Sequence, residues 1–317
     1  MTAYITRRVG YLVPTWLGMV LIAVLLGSLA PGDPAHDYFV RTQGREPSVE
    51  ELAETRQRFG LDKPLLGRYV TWVADAVRGD FGESFSTGRP VATEVASRFP
   101  ATLQLAVAGM VTALAFGIPI GVLAAMRRNS VWDHLTRASA VVGASVPSFA
   151  LSLLLIVVFS VKLNLLPALG RGGVDHLILP AVALGIGEAG VVARLLRSSL
   201  LEVLGEQYIT TARAKGLSAW KVVVFHAMRN ALTTVVTHVG LLFGFLLSYS
   251  AIVEIIFVWP GIGRLAVDAI AERDYPVIQG FVVFAGTVVM VVNLVVDLAY
   301  VWLDPRVELR RRAGAVS

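Results

Sequence analysis

The sequence predicts an all-α fold: a polytopic membrane protein with six transmembrane helices and an external subdomain after the first. Three observations predict it. The 317 residues are 55% hydrophobic and 16% charged, with a mean hydropathy of +0.67, which is more apolar surface than the core of a soluble domain of this length takes up. Six apolar runs each reach the roughly 20 residues that cross a hydrocarbon layer of about 30 Å. Lysine and arginine are distributed unevenly among the connections.

The runs cover residues 9–30, 101–126, 135–163, 177–200, 231–257 and 277–303. Inside a bilayer the chain must satisfy its own backbone polar groups, so only helices and closed barrels span it. Barrel strands read as alternating segments of about ten residues; these runs are longer and apolar on every side, and are read as helices. The first run follows Arg7 and Arg8 and ends in Ser28-Leu29-Ala30, as a secretory signal would. A signal's apolar region is only about 7 to 15 residues long, so an uncleaved anchor is expected.

The segment after the first span opens with the turn-rich Pro31-Gly32-Asp33-Pro34, and two helices are expected to follow. Ser48 and Glu51 have capping-box spacing, and Gly60 is placed to end the helix they start. The second helix covers residues 64–78, with Pro64 suited to its first position. Leu65, Leu66, Tyr69, Val70, Val73 and Val77 make one apolar stripe. Three partners are open to that stripe: the membrane surface, neighbouring helices or an external protein.

Positive residues resist translocation, and this sets the orientation. With the N-terminus inside, fifteen of them fall on the cytoplasmic side: Arg7, Arg8, Arg127, Arg128, Arg137, Arg194, Arg197, Arg213, Lys215, Lys221, Arg229, Arg306, Arg310, Arg311 and Arg312. The short external loops hold four, Lys162, Arg171, Arg264 and Arg273. The other nine lie between Pro31 and Pro100, and connections longer than about 60 residues translocate regardless of charge. Both termini are therefore expected in the cytoplasm. The net charge of +5 follows from this sidedness, and no basic patch outside the spans points to nucleic acid. The absence of cysteine excludes disulfides, thiolate metal sites and cysteine nucleophiles.

Within the spans, a few polar residues and glycines stand out. Gly117 with Gly121 and Gly240 with Gly244 have the spacing of closely packed membrane helices. Ser145 and Ser148 flank Pro147 in the third span, which reads as a kink or a pathway lining. Asp297 in span six is expected to pair with Arg194 or Arg197 in span four, because intramembrane charges are costly alone; snorkelling of each arginine to the headgroups is the alternative. Glu188 lies near the middle of span four, where Gly185, Gly187, Ala189 and Gly190 leave space beside it. It is expected to face a pathway and favour a cationic solute group, with a structural hydrogen bond or a protonated carboxyl as alternatives.

Between spans four and five, residues 200–232 read LLEVLGEQYITTARAKGLSAWKVVVFHAMRNAL. Residues 206–215 favour a helix, Gly216 supplies the freedom of a sharp turn, and residues 219–228 resume an amphipathic pattern with Val222, Val223 and Phe225. Such a loop either presents a short helix to another subunit or lies on the membrane surface, where basic residues beside apolar ones suit anionic headgroups.

Here the sequence resembles a family, the inner-membrane permeases of peptide and nickel importers among the ATP-binding-cassette transporters. TARAKG from Thr211 and HAMRN from His226 look like that family's version of the permease loop, with Thr210-Thr211-Ala212 in place of its general Glu-Ala-Ala. Further strings match in order: PGDP from Pro31, FGLDKP from Phe59, GDFG from Gly79, RFPATL from Arg98, ILPA from Ile178, RSS from Arg197, WPGIGR from Trp259, RDYPVIQG from Arg273 and NLVVDLAY from Asn293. Thr233-Thr234 departs from the family's frequent Leu-Pro, which leaves open the bend expected at the start of span five.

The resemblance implies a type I importer permease with an N-terminal span at 1–30, an external helical subdomain at 31–100, a five-helix core at 101–303 and a cytoplasmic tail at 304–317. It implies a coupling loop at about 200–230, with Thr211, Ala212, Arg213, Ala214, Lys215, Gly216, Leu217 and Ser218 contacting an ATPase. Implied partners are a second homologous permease, two ATPase subunits carrying ATP and Mg, an external solute-binding protein and the lipid of a bacterial inner membrane. Glu188, Ser145 and Pro147 are the pathway candidates. Di- and oligopeptides are the first solute expected; nickel or a metal chelate is the second, on the short connector at residues 164–176 and the GDPAHDY string.

The residues themselves agree that energy comes from elsewhere. A phosphate-cradling loop needs Gly-Lys followed by Ser or Thr, and no glycine here precedes a lysine. His36, His134, His176, His226 and His238 are scattered without an HExxH pair, so no catalytic or metal residues and no cofactor are expected in this chain. An autonomous channel or ion-coupled carrier would predict internal repeats and paired interrupted helices, which the sequence does not show.

Overall fold

The computed structural model describes residues 2–29, 32–131, 133, 134, 136, 138, 143 and 145–303. The described chain is helical, with one isolated antiparallel bridge between Glu83 and Pro90. The helices are α1 (Thr2–Leu29), α2 (Pro34–Gln43), α3 (Val49–Arg58), α4 (Leu65–Val77), α5 (Val91–Met126), α6 (Ser148–Leu155), α7 (Val174–Val203), α8 (Gln207–Ala214), α9 (Ala219–Lys221), α10 (Met228–Ile256), α11 (Ile262–Ala271) and α12 (Tyr275–Leu303). Two π-helical segments continue α6 (Ile156–Lys162) and join α9 to α10 (Val222–Ala227).

Five stretches among the described residues are long and apolar enough to cross a membrane: Gly10–Leu29, Val91–Met126, Val174–Val203, Ala219–Ile256 and Tyr275–Val296. The remaining expected span, the third, is represented by the shorter Ser148–Lys162. Its helix breaks at Val146-Pro147, because proline lacks the N–H that the ladder needs and disfavours helical geometry in the residue before it. Part of the upstream half lies outside the described residues.

The chain forms two compact units, residues 1–101 with 261–294, and residues 102–260 with 295–317. In the first unit, Asp33 caps α2 by accepting the Ala35 N–H at 3.1 Å, and Pro34 takes the first helical position. The string is expected as a turn; in the structure it starts a helix instead. The expected capping box on α3 is present: the Ser48 hydroxyl accepts the Glu51 N–H at 3.2 Å and Glu51 accepts the Ser48 N–H at 2.8 Å. Gly60 ends α3 at φ +64°, with the Leu61 N–H reaching back to the Arg56 carbonyl at 2.8 Å. Pro64 stands at the cap of α4, one residue before the position expected.

The stripe on α4 divides. Tyr69, Trp72 and Val73 pack on Val20, Ala23 and Val24 of α1, and the Tyr69 hydroxyl donates to the Leu17 carbonyl at 3.1 Å. Leu66, Val70 and Val77 stay exposed. A second cluster joins Val91 and Val95 to Ile262, Leu265 and Ala269 of α11, a helix the sequence reading did not anticipate, and to Val277. Buried Asp274 fixes this region. Its carboxylate accepts the Ser84 hydroxyl at 2.6 Å, the Phe85 and Ser86 N–H groups at 3.0 Å and the Ser86 hydroxyl at 2.9 Å, just ahead of α12.

In the second unit, α7 packs along α10 and α6 packs on both. Lipid chains are as apolar as leucine, so helices in a membrane associate through close packing of small residues. That is what α5 and α7 show. A β-carbon on Gly117 would stand 2.8 Å from the Ala189 carbonyl oxygen, and one on Gly121 2.7 Å from that of Ala193. Gly240 of α10 is likewise closed by Val296.

Candidate functional site: the coupling loop and the fourth span

The loop after α7 is a helical hairpin. Eight residues form α8, and Ile209 and Ala212, three apart and so on one face, are buried. The returning segment buries Val222, Val223 and Ala227 and contacts α8. Asn230 donates to the Tyr208 hydroxyl at 2.7 Å across the hairpin. Phe225, which the sequence pattern grouped with Val222 and Val223, is instead 71% exposed. The wider turn of the π-helical stretch changes which residues share a face.

The reversal is made by Gly216, whose φ of +80° only glycine adopts without strain, and its N–H bonds to the Arg213 carbonyl at 2.9 Å. Nothing lies within 4 Å of where its β-carbon would be, so the requirement for glycine is conformational. Thr211, Arg213, Ala214, Lys215 and Ser218 are exposed and Leu217 is half-buried, while Ala212 anchors the hairpin. Exposed Trp220 and Phe225 lie next in sequence, beside exposed Lys221. Cations beside exposed aromatic residues make a surface suited to another protein.

Along α7 the structure changes the reason for the small residues around Glu188. A β-carbon on Gly185 would collide with the Gly109 carbonyl of α5, and one on Gly187 would stand 3.0 Å from the Gly143 carbonyl. Those positions are filled by neighbouring backbone and are not free space beside the carboxylate. Glu188 itself is half-buried, and no residue among those described gives it a hydrogen bond or ion pair. Ser145 ends the helical stretch before the break and Pro147 caps α6.

A family model described as the binding-protein-dependent transport system inner membrane component matches residues 117–309, and the model of the N-terminal region of such membrane components matches residues 1–106. The chain belongs to this family of importer permeases. The permease is 44% identical over 310 residues, 98% of its length and all of the relative's, to the glutathione transport system permease protein GsiC of Escherichia coli strain K12; GsiC of Salmonella typhimurium strain LT2 matches over the same extent. Among solved structures, an inward-facing MetNI methionine ABC transporter chain superposes with a TM-score of 0.56 at 21% identity, covering 66% of this permease and 96% of that chain. An amino acid ABC transporter superposes at 0.52 and 17% identity. These neighbours carry the type I importer fold. The permease is thus the membrane-embedded subunit of an ATP-binding-cassette importer, a non-catalytic component whose ATPase activity resides in separate subunits.

Two buried acids of the permease were not singled out from the sequence. Asp133, fully buried, takes the Arg197 guanidinium in a two-point contact, with Nη2 at 2.8 Å, and also accepts the Asn129 N–H at 2.9 Å. Asp297 is expected to pair with Arg194 or Arg197; among the described residues the carboxylate on Arg197 is Asp133, which lies on the approach to span three. The Asp297 side chain lies outside the described residues. Arg194 is exposed, with no partner among the described residues. Glu254, also fully buried, accepts the Thr102 hydroxyl at 2.6 Å and the Ser250 hydroxyl at 3.0 Å. Arg197 lies 64 residues from Asp133 and Thr102 lies 152 residues from Glu254, so no local pattern marks these two pairs.

Proposed function

We propose that this permease conducts short peptides, tripeptides such as glutathione included, and that residues 211–218 transmit ATPase closure to its spans. The observation that carries the solute reading is the end-to-end likeness to GsiC. The hairpin turned by Gly216 supports the coupling role, because it offers an exposed, partly cationic edge on a packed base. In this reading a second homologous permease completes the pathway and two ATPase subunits bind ATP with Mg at the cytoplasmic face. An external binding protein delivers the solute, and both termini are cytoplasmic. Glu188, half-buried without a described partner, faces the pathway and favours the solute's cationic group. Ser145 and Pro147 border the break in span three on the same route, and Arg194 is left to pair with Asp297.

The test is uptake into proteoliposomes holding the complete transporter and its binding protein, with labelled tripeptide competed by other peptides and by Ni²⁺. Peptides compete and Ni²⁺ does not, and Glu188→Gln lowers uptake of cationic peptides several-fold more than that of neutral ones. Uptake of Ni²⁺ that no peptide affects would replace peptide with metal as the solute.

A further inference from the structure

The first unit contains a pocket of about 300 Å³, at the lower end of the range for ligand sites. Arg68, Thr71, Trp72 and Asp75 of α4 line it, at spacings of three, four and seven that place them on one helix face. Trp72 is shared with the face that α4 packs on α1 through Tyr69 and Val73, and Val24 of α1 lines the pocket beside it. Arg58 and Glu83, which also line the pocket, satisfy each other at 3.0 Å. The side chains of Arg68, Asp75 and Gln279, the last contributed by α12, have no hydrogen-bond or ion-pair partner among the described residues. Burial pushes the Arg68 guanidinium below its ordinary titration range. A cation held partly out of water without a counter-charge favours an anion that enters and pairs with it.

Lys63 also lines the pocket without an ion pair among the described residues; on α4 itself, Arg68 and Asp75 are seven residues apart, about 10.5 Å along the axis at 1.5 Å per residue. An extended tripeptide spans about 10 to 11 Å between its ends at 3.3–3.6 Å per residue. We propose that this pocket is a binding site for a short zwitterionic peptide, its carboxylate on Arg68, its amino group on Asp75 and a side chain against Trp72. The site rests on the peptide reading above and adds a station outside the membrane-spanning route. It selects for both free termini and for a length near three residues.

The experiment is equilibrium binding of a labelled tripeptide to the complete transporter in nanodiscs without its binding protein, alongside import by the same preparation with the binding protein present. The free tripeptide binds saturably. Amidating its C-terminus, or Arg68→Gln, weakens binding about tenfold or more, the scale of one charged hydrogen-bonded contact, and the two losses do not add. Asp75→Asn weakens binding of the free peptide and leaves that of its N-acetyl form unchanged. Arg68→Lys retains binding of the free peptide, separating loss of the anion contact from misfolding. Import of peptides without saturable binding, or binding indifferent to amidation and to Arg68→Gln, overturns the site while leaving the transport reading intact. Failure to import any peptide removes both.

Discussion

Arg197 and Asp133 join the C-terminal half of span four to the approach to span three by a contact almost wholly removed from solvent, with side-chain exposures of 16% and 0%. A buried pair owes little net stability to its attraction but a great deal to being complete, because removing one partner strands the other charge; the loss is about 3–5 kcal/mol. Asp133→Leu and Arg197→Met are each expected to lower the thermal stability of the purified permease by that order. The double variant Asp133→Leu with Arg197→Met should recover much of it, and additive losses in that cycle would show the two side chains to be uncoupled. The same pair marks where the sequence stops being informative. An isolated aspartate 64 residues from its arginine carries no local signature. The cost of an unpaired intramembrane charge offers Arg197 either Asp297 or snorkelling to the headgroups, and Asp133 is neither.

At the scale of the element, features determined within a few residues were legible. The capping box at Ser48 and Glu51, the glycine stop at Gly60 and the reversal at Gly216 all depend on neighbours in sequence, and all three are present. Helices α2 and α11 were missed for a matching reason. Asp33-Pro34 serves equally as a turn and as a cap with its first helical residue, and α11 is held by packing on Val91 and Val95 from far along the chain. Glu51 offers a test of the local claim. The Arg45 guanidinium first, and the Ser48 N–H next, hold its carboxyl at about 2, down from an ordinary 4.5. A depressed folded value means that its stabilisation is complete above about pH 4.5 and fades as the pH falls toward 2. Amide exchange across residues 48–58, corrected for its intrinsic pH dependence, should remain protected at pH 4 and accelerate in Glu51→Ala. Protection lost already at pH 4 would show that the box does not hold this helix end.

For the whole molecule, the composition and the apolar runs dictated an all-α membrane protein because the bilayer permits few alternatives, and the importer fold followed from motifs spread along the chain. The site divides differently. The coupling hairpin was visible because glycine at a left-handed position interrupts an amphipathic pattern, whereas the packing that closes the space around Glu188 depends on Gly109 and Gly143 from two other helices. In the proposed mechanism, motion passes between the ATPase and the spans through the hairpin turned by Gly216. Valine there would have to adopt φ near +80° at a cost of about 1–2 kcal/mol, with nothing within 4 Å of its β-carbon, so the disturbance centres on the turn. The most direct measurement is the ATPase rate of the reconstituted Gly216→Val transporter with and without peptide-loaded binding protein. Subunits that still assemble, with stimulation by the loaded binding protein largely lost and uptake lost in parallel, are the expected result. Stimulation and uptake at the unaltered level would contradict the account.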